Sequence, residues 1–540
     1  SYIDALIKEK QFDNAKQVLE QAKKRGVAGE KLNILESQLA PIAQTENVNS
    51  ASPSQNQLSN LLERYQDGQY GDAEKLAISI TQEFPTHQFA WKVLGAIFGQ
   101  TGRQFEAINA SQRTIQLVPQ DAEAHYNLAN SLKELDRLED AYESYRQSLA
   151  LKPDFAEAHS NLGIMLQELG RLDEAEASFR QAIASKPDFA IAHNNLGNTL
   201  RDLCRLKEAE ASYTQAIALQ TNFAEAHFNL GITLKELGRV DEAEPSLRQA
   251  ILLDSEHPDA RFNLGVLLFL KSQYSEAAEQ FELTDKEQSK LYAIRCSYLI
   301  DEQTIFYKKL DFLIDQGEVN AVIGSLIFCS EIKYGVKKPN PFCNEPLKYV
   351  LNTDLTDHYD FEKIFIKTAR DVLLDNSVSH KGARTFKLYG IQTAGNIFVL
   401  SKVLRTEIES VIRDEIEKYR IHFNDSEEGF IKNWPTSYNI FGWLVSMQSG
   451  GNHDSHMHDT GWITGSIYIN VPPKSRPDSG CLVVCSSDRE HVLGIESTHE
   501  SVIDVVTGNL CLFPSSLLHY TLPFEEEEDR IVLSFDVIPN

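Results

Sequence analysis

The sequence predicts a multidomain α + β protein, with an N-terminal all-α superhelix followed by a C-terminal double-stranded β-helix (jelly roll) with flanking helices. Three observations support this fold class. In the first half, a block of sequence recurs every 34 residues. After Trp434 the texture changes to short β-rich runs separated by turn residues. Between these regions the helical periodicity continues without the repeat. The length of 540 residues predicts roughly two to four domains.

Each copy of the repeat contains two apolar runs of helical period, a short turn between them and a proline or polar stop. This pattern is typical of stacked helical hairpins. It closely resembles the tetratricopeptide repeat, so the all-α superhelix is expected to be a tetratricopeptide array over residues 57–288. One column of the repeat, with members 34 residues apart, consists of Trp91, His125, His159, His193, His227 and Arg261. Because Trp and Arg share this column, we assign its histidines to packing between repeats and give them no metal role.

The regions around the array have weaker signals. Residues 1–44 have the pattern of a helical hairpin, and the polar stretch TENVNSASPSQNQ predicts a linker at 45–56. Residues 289–360 are interpreted as a helical bridge without identifiable chemistry, and residues 361–540 as the β domain.

A second column of the repeat consists of asparagines. A side-chain amide offers a donor and an acceptor, so such a column can pair with successive peptide units whatever the ligand's sequence. It resembles the asparagine ladder of O-linked N-acetylglucosamine transferases, which implies that it binds peptide backbone. The alternative is that the amides only assist helix packing. The predicted peptide-binding residues are Asn127, Asn161, Asn195, Asn229 and Asn263.

Composition limits the classes of partner. The formal net charge of −26 argues against nucleic acid and against an anionic membrane, because phosphate binding needs concentrated Lys and Arg. The seven cysteines are scattered and lack zinc-type pairing, which favours a reducing compartment. No long apolar span and no leader sequence are evident, so we expect a soluble, cytoplasmic protein.

The segment HDSHMHDTGWITGSIYINVP, from His453 to Pro472, concentrates histidines at the start of a predicted strand. Residues two apart on an extended backbone point to the same face, so His456 and His458 project together. LLHYTLPF supplies His519, and Arg530 follows across a turn, at a spacing that returns it to the same cavity in a hairpin. Two or three histidines and one inward arginine can chelate ferrous iron and bind a dicarboxylate.

This order of residues resembles the iron- and 2-oxoglutarate-dependent dioxygenases, in the prolyl-hydroxylase-like branch with an H-x-H motif. The resemblance implies Fe(II) and 2-oxoglutarate as cofactors, His456 and His519 as iron ligands, and Tyr468 and Arg530 as contacts of 2-oxoglutarate. Most of that superfamily has an acid at the middle ligand, where this chain has His458. Three possibilities remain: His458 binds, Asp459 or Asp454 replaces it, or only two protein ligands are used. Strand alternation favours His458.

The predicted function is hydroxylation of a side chain of a protein or peptide held in the repeat groove. Apolar neighbours of the site could restrict water, and of Trp443, Trp462 and Ile467 we favour Trp462 because it is close to the histidine pair. Two alternatives stay open. One is a small-molecule oxygenase whose repeats recruit a partner protein, and the other is a non-catalytic repeat scaffold with a degenerate oxygenase domain.

Overall fold

A computed structural model describes residues 52–374, 380–382, 390–393, 395–400, 406–450, 453–474, 476–486, 500–526 and 528–540. The hairpin predicted at residues 1–44 lies outside the described residues. The end of the predicted linker is described. There, Ser54 caps the first helix by accepting a hydrogen bond from the backbone N–H of Gln57.

Seventeen consecutive helices open the described chain, and they divide between two compact units whose boundary in the chain falls between Thr199 and Leu200. No described helix combines the length and apolarity needed to cross a bilayer. The first unit contains α1 (Gln55–Gln66), α2 (Tyr70–Glu83), α3 (Gln88–Gln100), α4 (Gln104–Leu117), α5 (Ala122–Glu134), α6 (Leu138–Leu151), α7 (Ala156–Glu168), α8 (Leu172–Ser185) and most of α9 (Ala190–Asp202).

The second unit contains the end of α9, eight further long helices and all the described strands. The long helices are α10 (Leu206–Leu219), α11 (Ala224–Glu236), α12 (Val240–Leu253), α13 (Pro258–Leu270), α14 (Tyr274–Glu282), α15 (Glu287–Leu299), α16 (Gln303–Asp315) and α17 (Ala321–Tyr334). Four more described helices belong to the β region: α18 (Thr368–Leu374), which directly follows a π-helix at Glu362–Lys367, α19 (Ile397–Leu400), α20 (Ile408–His422) and α21 (Gly429–Lys432).

Paired helices within a repeat approach closely because a small residue faces a large one. In the first unit, a Cβ added to Gly163 would lie 2.8 Å from the Phe179 ring. In the second unit, the same addition at Gly265 would lie 2.7 Å from the Phe281 ring. Since real Cβ atoms do not approach so closely, the glycine determines how near the two helices can pack.

The Trp/His/Arg column has one structural task in every repeat. Each member hydrogen-bonds the backbone carbonyl six residues earlier, in the turn that precedes its helix. Trp91 donates from Nε1 to Pro85 at 3.0 Å, and Arg261 donates from Nε and Nη2 to Ser255 at 3.1 and 2.9 Å. The four histidines place Nε2 3.0 to 3.2 Å from the corresponding carbonyl. Because a carbonyl only accepts, each Nε2 carries the proton.

The β region confirms the predicted change of fold class. Its described strands are β1 (Leu351–Asp354), β2 (His380–Gly382), β3 (Gly390–Thr393), β4 (Tyr438–Met447), β5 (His453–His456), β6 (Ile463–Asn470), β7 (Leu482–Cys485), β8 (Glu500–Ile503), β9 (Asn509–Pro514), β10 (Leu518–Thr521) and β11 (Arg530–Pro539). They form two antiparallel sheets, of seven strands in the order β1-β9-β6-β11-β4-β3-β2 and of four in the order β5-β10-β7-β8. This arrangement is consistent with a jelly roll.

Strand β11 separates two environments by alternation. Leu533 and Phe535 enter a core cluster that the large sheet shares with α20. Val532 and Ser534 line a cavity whose other residues come from both sheets. Arg530 and Asp536 have the same parity as the cavity residues, so β11 carries one charged side chain near each end of the cavity-facing side.

Candidate metal centre

Three histidines converge at the cavity between the sheets. His456 on β5 is the register partner of His519 on β10, and His458 follows β5 by two residues. One nitrogen from each ring can be chosen so that all three lie within 4.8 Å of one another. The ring centroids are 4.3 Å apart for His456 and His519 and 4.8 Å apart for His458 and His519. Imidazole nitrogens in this arrangement are a donor set that suits a first-row transition metal.

His458 is oriented by a buried carboxylate that the sequence analysis missed. Its Nδ1 lies 2.6 Å from Oδ1 of Asp536, a residue that is 5% exposed. Thr464 donates to the same oxygen at 3.0 Å, and its hydroxyl is 2.8 Å from that of Ser515. An ionised carboxylate only accepts, so Nδ1 carries the proton and Nε2 keeps its lone pair for a metal. The sequence could have pointed to Asp536, because it lies on the same predicted strand as Arg530 and on the same face of that strand.

Asp459, the alternative to His458, faces away from the histidines. Its Oδ2 accepts a hydrogen bond from Nη1 of Arg295 on α15 at 2.6 Å. The side chains of His453 and Asp454 lie outside the description. Of the three possibilities for the middle ligand, the geometry therefore favours His458.

Arg530 is a buried cation with unused donors. It is 1% exposed, its Nη1 donates to the Gly480 carbonyl, and its guanidinium carbon lies 5.1 Å from the centre of the Tyr468 ring. Burial lowers the pKa of Arg530 and raises that of Tyr468, whose hydroxyl is therefore neutral. Among the described residues, neither Nε nor Nη2 of Arg530 has a hydrogen-bond acceptor. A carboxylate would satisfy both of these parallel donors.

The aromatic lining of the cavity corrects one prediction. Trp443 lines the cavity, and its ring meets that of His458 at a centroid distance of 5.2 Å. Trp462 is 7% exposed, belongs to the core cluster on the other side of the large sheet, and donates from Nε1 to the Phe430 carbonyl at 2.8 Å. The choice of Trp462 was wrong because closeness in sequence to the histidines does not determine which face of the sheet a side chain occupies.

The asparagine column is partly engaged within the protein. In the first unit, Asn127, Asn161 and Asn195 are half-buried, and Asn161 donates to the Tyr126 hydroxyl and to the Asn130 amide oxygen, both at 3.0 Å. In the second unit, Asn229 is 3% exposed. Asn263 accepts from Lys235 at 2.7 Å and donates to the Asp259 carbonyl at 2.9 Å. Peptide binding by this column stays a prediction.

Comparison with known families agrees with this division of the chain. Residues 442–536 match a model described as "Putative 2OG-Fe(II) oxygenase". Tetratricopeptide repeat models match residues 101–154, 126–188, 162–224 and 228–289. A tetratricopeptide repeat region and a "Putative 2OG-Fe(II) oxygenase" domain are thus matched in separate parts of the chain. That family implies Fe(II) and 2-oxoglutarate, and the three histidines could hold the metal. The prolyl-hydroxylase-like branch remains a prediction.

Several solved structures match about a third of the chain. PilF of Pseudomonas aeruginosa is 22% identical with a TM-score of 0.33, and the match covers 36% of this chain and 90% of that one. YrrB, described as a TPR protein with an unusual peptide-binding site, is 27% identical with a TM-score of 0.32, covering 36% of this chain and 100% of that one. A thermophilic TPR protein of Thermus thermophilus is 24% identical with a TM-score of 0.30, covering 33% of this chain and 98% of that one. No curated protein matches the chain.

Proposed function

We propose that this protein is an Fe(II)- and 2-oxoglutarate-dependent dioxygenase that hydroxylates a side chain of a polypeptide bound by its repeats. The observation that carries the proposal is the meeting of three imidazoles in a cavity whose Tyr468 also contacts a buried guanidinium with two unused donors. Ferrous iron suits the imidazoles, and a carboxylate of 2-oxoglutarate suits the guanidinium.

His456, His458 and His519 would hold the iron. All three are neutral ligands when bound, whereas the usual facial triad includes a carboxylate. Asp536 places a negative charge directly behind His458 and so supplies, one hydrogen bond further out, part of the charge that a ligating acid would provide. It also holds the proton on Nδ1, which leaves Nε2 for the metal.

Arg530 and Tyr468 would hold 2-oxoglutarate. The guanidinium presents Nε and Nη2 to a carboxylate, and the neutral Tyr468 hydroxyl can add a third hydrogen bond. Because Arg530 is fully buried, this ion pair would be little screened by solvent. Iron and 2-oxoglutarate, once bound, supply the activation of dioxygen and the oxidation of a C–H bond, with succinate and carbon dioxide as co-products.

The repeats support a polypeptide as the substrate. Tetratricopeptide hairpins form extended concave surfaces that commonly bind peptides or proteins. Holding the substrate on the same chain as the metal centre raises its effective concentration there. The acidic charge of −26 favours a basic or neutral segment.

Two measurements on the full chain test the proposal. Succinate release from 2-oxoglutarate should require Fe(II) and should vanish in His519→Ala, and equal release by the variant and the wild type would end the oxygenase proposal. Mass spectrometry of a random peptide library should then reveal products one oxygen heavier. Asn127→Ala with Asn195→Ala should reduce that modification while leaving peptide-independent succinate release intact. If the library stays unmodified while succinate forms, the polypeptide substrate is wrong.

A further inference from the structure

The segment that carries two of the three histidines is held from its other side by helices. Along residues 456–459, His456 and His458 line the cavity. The alternate residues, Met457 and Asp459, contact the helical part of the second unit. These four residues are consecutive in the segment that leaves β5, so whatever holds Met457 and Asp459 also constrains the backbone that carries the two imidazoles.

Asp459 is held by α15. Its ion pair with Arg295 measures 2.6 Å, and the two side chains are only 32% and 25% exposed. The Asp459 carboxylate also interacts with Tyr292, one turn earlier on the same helix. The Arg295 guanidinium lies 5.2 and 5.5 Å from the centres of the Phe269 and Tyr292 rings. These ring contacts restrict the arginine, so the pair costs less side-chain entropy than an exposed one.

Met457 joins two cores. It packs against a cluster formed by α15, α16 and α17, with Ile294, Phe306 and Ile323 among its members. It also packs against the cluster between the large sheet and its own helices. The unbranched methionine side chain suits this position because it can fill an irregular gap between two packed clusters.

The third histidine has a similar support. Ser516 lies in the turn between β9 and β10, three residues before His519, and a Cβ added to Gly324 on α17 would be 3.3 Å from the Ser516 Cβ. Helix α17 therefore packs directly on the turn that leads into the strand of His519. Both histidine-bearing segments thus touch the last helices before the β region.

We propose that α15 positions the metal ligands, with Arg295 and Asp459 as positioning residues for His456 and His458. The inference rests on the proposed function of the three histidines. Metal ligands must be held within a few tenths of an ångström, and the residues behind them commonly change metal affinity tenfold or more. The helices at the end of the repeats then support the metal centre directly.

Cobalt(II) binding to the full chain tests this proposal, with a visible absorption spectrum that reports ligand geometry. Arg295→Gln should weaken Co(II) binding about fivefold and shift the ligand-field band, and Arg295→Lys should restore part of both. The matched control is Arg248→Gln, because Arg248 forms a 2.6 Å ion pair with Glu276 between helices of the repeats. The control should bind Co(II) as the wild type does.

A second variant separates positioning from a general loss of stability. Asp459→Asn removes the same ion pair from the side of the β domain, so its Co(II) affinity should match that of Arg295→Gln. The double variant should bind Co(II) no more weakly than either single variant. Identical Co(II) affinity and spectra for Arg295→Gln, Asp459→Asn and the Arg248 control would overturn the proposal. Failure of the underlying function would differ, because the wild type and His456→Ala would then bind Co(II) equally.

Discussion

Histidine and arginine occur in the repeats and in the β domain with opposite consequences. In the repeats, the imidazole Nε2 atoms of the column lie against backbone carbonyls, and Arg261 donates from Nε and Nη2 to one such carbonyl. In the β domain, three imidazoles face one another, and the same two atoms of Arg530 are buried without an acceptor among the described residues. Donors that already meet the backbone hold the turns of the repeats, whereas buried donors without an acceptor, such as Nε and Nη2 of Arg530, suit a ligand.

The largest expected effect is loss of metal binding. His519→Ala removes one of three ligands, so its affinity for Fe(II) should fall more than about 100-fold, because each missing ligand costs several kcal/mol. His159→Ala, from the repeat column, should leave Fe(II) binding unchanged. Anaerobic calorimetric titration of both full-length variants measures this contrast. Equal losses in the two variants would remove the distinction between the two groups of histidines.

Arg530 should matter next, through 2-oxoglutarate. Arg530→Lys retains a charge but loses the planar pair of donors, so the Kd for 2-oxoglutarate should rise about 100-fold. The matched substitution Arg261→Lys should leave that Kd unchanged, because the Arg261 donors meet backbone. Titration of the metal-loaded variants with 2-oxoglutarate provides the readout. A Kd within about twofold of the wild type for Arg530→Lys would mean that the carboxylate binds elsewhere.

Asp536 tests whether a carboxylate hydrogen-bonded to a ligating histidine supports the metal centre. Asp536→Asn replaces a charged group that can only accept with a neutral amide that can also donate, so the proton on Nδ1 of His458 is held less strongly, and Fe(II) affinity should fall about 10- to 100-fold. Glu415→Gln is the control, since Glu415 is a 5% exposed carboxylate that accepts from Tyr359 away from the metal centre. The Co(II) spectrum should change only for Asp536→Asn. An unchanged spectrum and affinity would show that His458 needs no partner.

The smallest effect concerns the repeats themselves. His159→Arg should retain nearly the full free energy of unfolding because arginine already occupies this column at Arg261 and reaches the equivalent carbonyl, that of Ser255. His159→Leu leaves that carbonyl without its donor and should cost about 1 kcal/mol. Urea unfolding of both variants gives the comparison. A stable leucine variant would mean that packing, and not the hydrogen bond, selects the column residue.

The sequence by itself determined the repeat region, the change to a β domain and the convergence of His456, His458 and His519. These features depend on periods along the chain, the helical repeat of each hairpin and the two-residue alternation of strands, so neighbouring residues encode them. The tertiary structure alone decided that Asp536 meets His458, that Asp459 pairs with Arg295, and that Trp443 and not Trp462 lines the cavity. Each of these contacts depends on how separate strands and helices pack, and that packing minimises buried unpaired polar groups across the whole unit and not along any one segment.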